Sequence, residues 1–256
     1  RDFALELSKT FPDQVLYRAL MEALGYASNR RAFSDLADMV PIARLARLRK
    51  EPPSTRPLAI RAILTGGAGL LSHVRPDEEA RLLRALLRHF PARRAMSADR
   101  WHLFRVRPAN HPVARIVGAA YLIDRHMEKG LARGLEEDVG RDDAALLTRR
   151  LTVGGVIGRG RARDMAVNAV LPFMHAYAGH KRSPTLGRTC LRTYRAFPSL
   201  ADNEITREMK RLLGPESDLA ELKGARRHQG LIHLYRGMSG LTLDRSPGAA
   251  DRYADS

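Results

Sequence analysis

Apolar positions along this chain recur mostly three and four residues apart, the period of helices that bury one face. In "TFPDQVLYRALMEALGYASN" (10–29), Leu16, Tyr17, Leu20, Met21 and Leu24 keep that spacing. A helix is predicted there, with Thr10 or Asp13 near its start and Gly25 or Asn29 as a left-handed stop. A second helical stretch is predicted over 31–48, running into the loop "KEPPSTRP". The apolar run "AIRAILTGGAGLL" carries a Gly-Gly break. The clearest helix is "PDEEARLLRALLRHF". Pro76 is expected in its first turn, Asp77, Glu78 and Glu79 complement its dipole, and Leu82, Leu83, Leu86, Leu87 and Phe90 form its predicted buried stripe.

Beyond the tryptophan of "DRWHLFRVRPANHP", a turn at 108–110 leads to another helix, with Asn110 as its expected N-cap and Pro112 in its first turn. The acidic piece at 136–143 reads as exposed. Pro172 falls inside a later helical pattern, where a kink is expected. Helices at 185–196, 202–213 and 217–236 follow, and 242–256 reads as a disordered polar tail. The fold class predicted is all-α, an irregular multi-helix bundle of about nine to eleven helices. Residues 1–241 form either a single helical domain or two packed halves with a boundary near 135–150.

Composition supports helix over sheet, since the apolar content is mostly Leu and Ala with few β-branched runs. The single cysteine, Cys190, excludes an internal disulfide framework and fits a reducing, cytoplasmic setting. No apolar run approaches the ~18 residues of a membrane span, so no membrane partner is expected. The N-terminus has no initiator Met and no signal-peptide core, and reads as the start of a C-terminal piece of something longer.

The net charge is +16. Residues 42–115 hold 16 basic and 5 acidic side chains, about two-thirds of the excess. Such a field attracts phosphate polymers, acidic proteins or anionic surfaces. Arginine supplies 38 of the 44 basic residues, a bias that coding composition alone can produce.

Candidate chemistry is sparse. The cluster "GGVIGRGRAR" (154–163) resembles a phosphate loop, but no Lys-Ser/Thr follows, and Arg163 stands where a third glycine belongs. A flexible connection is the simpler reading. Arg149, Arg150, Arg159, Arg161 and Arg163 nonetheless occupy a stretch without acidic residues up to Arg163, beside a helix start that could receive an anion. His175 and His180, like His228 and His233, are five apart, which is not a metal-ligand spacing on a helix. No metal and no cofactor is expected, and no catalytic constellation appears.

"LYRALMEALGYASNRRAF" (16–33), "RVRPANHPVARI" (105–116), and "NAVLPFMHAY" (168–177) with "ARRHQGLIHLYRG" (225–237) together resemble the bacterial family catalogued as domain of unknown function 2851. The resemblance is to its C-terminal, helical part and spans about 10–238. It implies an additional N-terminal portion, rich in strands, acidic residues and histidines. His228-Gln229 stands where the family pattern has Gln-Gln, and a cysteine expected after that helix is absent. With no activity established for the family, the resemblance implies an architecture and no mechanism.

Two functional readings stand. In the first, a basic helical module binds DNA or RNA through 42–115 and the arginine-rich 149–163 stretch, with Arg107, Asn110 and Arg115 in the intervening turn. Few aromatics would favour backbone contact over base stacking. In the second, the module is a structural or interaction scaffold for its own missing N-terminal domain, which the family resemblance suggests could be nuclease-like. Arg226, Gln229, His233 and Arg236 form one polar ridge on the last helix, opposite an expected core face of Leu231, Leu234, Tyr235 and Met238. The ridge is expected to meet a neighbouring helix, an anion or solvent, with Gly230 permitting a close approach.

Overall fold

The computed structural model describes residues 2–75, 77–92, 94–214 and 224–243. Its first half holds α1 (Phe3–Leu7), α2 (Pro12–Leu24), α3 (Tyr26–Met39), α4 (Ile42–Leu45), α5 (Arg56–Gly67), α6 (Glu78–His89) and α7 (Pro112–Arg125). Its second half holds α8 (Leu131–Gly140), α9 (Ala144–Leu151), α10 (Arg159–Met165), α11 (Leu171–His180), α12 (Pro184–Ala196), α13 (Glu204–Leu213) and α14 (Ala225–Leu243). The chain is an all-α multi-helix bundle. The predicted 31–48 helix is broken at Val40–Pro41, because proline disfavours helical backbone in the residue before it. A short 3₁₀ turn, Ala46–Lys50, then completes that stretch.

Helix α2 is the central element. All five of its predicted apolar positions are buried, together with Val15 and Ala19. It packs against α3, α7, α8 and a π-helical turn at Ala166–Val170. Its first turn also works at a distance: Asp13 Oδ1 accepts the Ala132 N–H at 2.8 Å, capping α8 where Gly130 (φ +85°) supplies no side-chain cap. One contiguous hydrophobic cluster runs from Phe3 to Ala225.

Several expectations change. Asn29 is no stop; it lies inside α3, and the left-handed residue is Tyr26 (φ 54°). Gly25 has ordinary φ, and its need is for space, since a side chain there would collide with the Asn29 carbonyl. Helix α6 begins at Glu78 with Asp77 as N-cap, and Pro76 lies outside the described residues. Its stripe is narrower than predicted: Leu83 is buried, Leu86, Leu87 and Phe90 are half-buried, and Leu82 is exposed. Helix α6 packs chiefly on α5, so only one narrow face is covered. The N-cap of α7 is His111, whose ring nitrogen accepts from Val113 N, and Asn110 is freed for another bond. Asp138, in the acidic piece read as exposed, is buried. Where a kink is expected at Pro172, the structure has a π turn, Ala166–Val170, just before it, and Pro172 lies in the first turn of α11, where its missing N–H costs little. The predicted start of the last helix at 217 and residues 244–256 of the predicted tail lie outside the described residues; Thr242 and Leu243 of that tail are the last residues of α14.

Candidate functional site

Three segments that the sequence separates widely come together around Tyr26. The α2–α3 junction supplies its ring, held in left-handed backbone and 41% exposed. Helix α7 supplies Arg115, only 3% exposed, with its guanidinium carbon 4.9 Å from the ring centroid. Arg115 donates from Nη1 to the Val156 carbonyl at 3.1 Å and from Nη2 to Asn110 Oδ1 at 2.5 Å. Helix α10 supplies Arg161, whose guanidinium carbon sits 3.0 Å from the same centroid. A tight turn closed by the Val153–Ile157 bridge precedes α10 and presents the Val156 carbonyl.

The cluster has more donors than acceptors. Arg115 Nε, Arg161 Nε and Arg161 Nη2 are buried with no hydrogen-bond partner among the described residues. Arg161 otherwise reaches the Ala23 carbonyl at a long 3.4 Å and Asp164 at 3.8 Å. Burial lowers both guanidinium pKa values, that of Arg161 to about 10 against the pull of Asp164, so both stay charged at neutral pH. Asp164 is itself pushed up by burial, opposed by Arg161 and by His228 of α14. These three N–H groups are closed off from solvent, and the contact of both guanidinium groups with the Tyr26 ring stands in for part of their hydrogen bonding.

The loop before α7 is locked beside this cluster. Asn29 Nδ2 donates to the His102 carbonyl at 3.0 Å, and His102 N donates back to Asn29 Oδ1 at 2.8 Å. Trp101 anchors the same loop, stacking edge-on to Phe33 and donating from Nε1 to the Ala68 carbonyl at 2.8 Å. Two residues past the clamp, Phe104 is 70% exposed, and Arg105 (φ 53°) holds its guanidinium carbon 5.1 Å from the Phe104 ring centroid.

The family model described as Protein of unknown function (DUF2851) matches residues 3–141, just over half of the chain. The chain belongs to this family. No curated protein and no solved structure matches it. Within the DUF2851 match lie Tyr26, Phe104, Asn110 and Arg115; Arg161 and α14 lie beyond it.

Of the residues that the sequence singled out, the structure therefore joins Asn110, Arg115 and Arg161. Arg107 is exposed on the same loop. Arg159 is exposed in the first turn of α10, and Arg163 is half-buried further along it. Arg149 and Arg150 are exposed at the end of α9, where Arg150 Nε meets Asp138 Oδ1 at 3.2 Å. On α14 the inward face is Ala225, His228 and Leu231; of the predicted core face Leu231 is buried, Tyr235 is half-buried, and the rest is not covered. His228 Nε2 lies 2.7 Å from Asp202 Oδ1, and this bond turns the helix. Leu234 and Met238 are consequently exposed, as are Arg226, His233 and Arg236, while Gln229 is half-buried. Among the described residues nothing lies within 4 Å of a side chain built at Gly230, so it accommodates no close neighbour there. The α14 ridge thus faces solvent, with no carboxylate bonded to Arg226 or Arg236 among the described residues.

A second basic patch lies in the 42–115 segment. Arg44 donates to the Pro91 carbonyl, which sets the Ala46–Lys50 turn beside the end of α6. Arg47, Arg49 and Lys50 are exposed there, as are Arg88 and Arg94. Other arginines are architectural: Arg56 binds Asp124 and Glu128 between α5 and α7, and Arg61 binds Glu79 of α6.

Among the described residues no three His, Cys, Asp or Glu side chains converge to hold a metal ion. Cys190 is buried and its thiol is pushed up to about 11, so it is protonated at neutral pH. Sequence reasoning missed Tyr26 and Phe104 as site residues. The only local signals were a bulky residue directly after Gly25 and an aromatic embedded between basic residues in "HLFRVR".

Proposed function

We propose that this chain is a nucleic-acid-binding module that grips phosphates of DNA or RNA through its basic surface. The observation that carries the reading is the exposed group of Arg47, Arg49, Lys50, Arg88 and Arg94, none of them ion-paired to a carboxylate among the described residues. Phosphate oxygens are the acceptors such groups match best, singly or as a fork. The exposed Arg105 and Arg107 of the loop before α7, and Arg159 of α10, support it by adding positive charge on the segments that meet around Tyr26. A long polyanion contacts several such groups at once and releases counterions from each.

The competing reading, a scaffold whose charge is architectural, is favoured by Arg56, Arg61 and Arg100, each bonded to a carboxylate. Fluorescence anisotropy with labelled oligonucleotides separates the two. Nucleic-acid binding predicts an affinity that falls linearly on a log–log plot against salt. It also predicts that Arg47→Glu, Arg49→Glu and Lys50→Glu together weaken binding to all sequences alike and reduce the slope by roughly one per contacting charge removed. Absence of binding at low salt, or a flat salt plot, would overturn the reading and leave the scaffold.

A further inference from the structure

Resting on that nucleic-acid reading, we propose that the strand recognised is single-stranded, with its bases stacking on Phe104 and Tyr26. Exposed aromatic side chains are scarce on this surface. Phe104 is 70% exposed, so the ring forgoes most of the stabilisation that burial would bring. Its ring has a guanidinium from Arg105 beside it, and Tyr26 has those of Arg115 and Arg161. The other exposed aromatics, Phe11 and Tyr121, have no cation over the ring among the described residues.

Both pairs also sit on strained backbone. Tyr26 and Arg105 are two of the four described non-glycine residues with positive φ. A left-handed conformation is unfavourable for a bulky residue and persists where surrounding contacts fix it. Here the contacts are the reciprocal Asn29–His102 bonds, which tie the two segments into one unit. Tyr26 lies about 4.5 Å along α3 from Asn29, and Phe104 at most about 7 Å along the loop from His102. The two rings therefore stand on one platform, Phe104 beside the exposed guanidinium of Arg105 and Tyr26 with Arg115 and Arg161 packed against its ring.

A base stacks on such a ring only if it is free of its own duplex neighbours, and the exposed Arg105 guanidinium then meets a flanking phosphate. This alternation of aromatic and cation is the chemistry of single-strand recognition, and it discriminates little among bases. Duplex DNA offers the arginines its phosphates but gives Phe104 nothing to stack on. The aromatic-poor composition, which favoured backbone contact over base stacking, is offset by where the exposed rings stand.

The test compares the intact chain with its Phe104→Ala, Tyr26→Phe and Tyr26→Ala variants. The probes are a single-stranded oligonucleotide, its duplex, and an abasic single strand of the same length. Phe104→Ala is the principal variant, because a side chain this exposed is removable without disturbing the core. Single-stranded affinity should exceed that for the duplex and for the abasic strand. Phe104→Ala should lower it roughly tenfold or more while leaving duplex affinity unchanged. Tyr26→Phe should match wild type, and Tyr26→Ala, checked for an intact far-ultraviolet spectrum, should behave like Phe104→Ala. Equal affinity for all three probes, or loss on Phe104→Ala that is the same for duplex and single strand, overturns the stacking proposal while nucleic-acid binding stands. If no probe binds, the nucleic-acid reading itself fails and this inference falls with it.

Discussion

Acidifying the protein from pH 7.5 to 5 probes the packing of His126, which ends α7 with its ring against α8. A side chain built at Gly134 would lie 2.5 Å from His126 Nδ1, so the ring occupies space that only glycine leaves open. Its Nε2 is buried without a hydrogen-bond partner among the described residues, and Asp138 Oδ2, at 3.8 Å, is too distant to bond it. Burial lowers the imidazole pKa to about 4; the charges of Arg125 and Arg150 push the same way, and Glu137 opposes them. An unfolded histidine takes up its proton near pH 6.5. Between that value and about 4, the unfolded chain binds more protons than the native one, so stability falls as the pH falls. The full difference corresponds to about 3 kcal/mol, of which roughly 2 kcal/mol is lost by pH 5. That is a large share of a typical domain's ~5–15 kcal/mol. Asp138 works in the opposite sense, since burial raises its carboxyl and its protonation favours the fold on acidification. The useful quantity is therefore a difference: urea unfolding at both pH values for wild type and for His126→Gln, which cannot titrate. The variant should lose about 2 kcal/mol less than wild type between the two pH values. Equal losses in the two proteins would refute this account of the site.

Two further outcomes follow from close contacts. Gly134→Ala should lower the melting temperature, because overpacking against the His126 ring, about 1–3 kcal/mol, outweighs the ~1 kcal/mol helical advantage of alanine. In a His126→Ala background the same substitution should stabilise, and stabilisation in wild type would sink the argument. Asp202→Ala removes the acceptor that holds His228 at 2.7 Å and Lys210 at 2.8 Å. Amides of α14 should then exchange with deuterium faster while those of α2 do not change, and a uniform change along the chain would contradict the latch.

How far the fold could be read from sequence depended on what each helix packs against. Helix α2 is surrounded, so its whole apolar stripe is buried as its periodicity implied. Helix α6 lies at an edge, and the same kind of stripe leaves Leu82 in water. Local pattern reports amphipathicity but not how many neighbours cover it. Asn110 is a good capping residue, yet His111 took that role because Arg115 engages the Asn110 amide oxygen. On α14, periodicity identified a polar ridge, but the bond from buried His228 to Asp202 helped decide which face turned inward. Asn110, Arg115 and Arg161 were each visible as basic or polar candidates. Their convergence on Tyr26 was not, since it depends on α7 and α10 meeting the α2–α3 junction, and no spacing within one segment encodes that.

The anchoring of Trp101 gives the protein a built-in optical probe. It is the only tryptophan in the chain, so emission excited at long wavelength comes from one known place. The indole is buried and donates to the Ala68 carbonyl behind α5, on the very loop that carries Phe104 three residues later. Unfolding transfers that indole to water and moves its emission to the red. If a strand stacks on Phe104 as proposed, its bases, which quench indole emission, come near to it while the protein stays folded. Loss of intensity without a change of wavelength and a change of wavelength itself are thus separate channels, one for occupancy and one for integrity, readable in a single cuvette without any label.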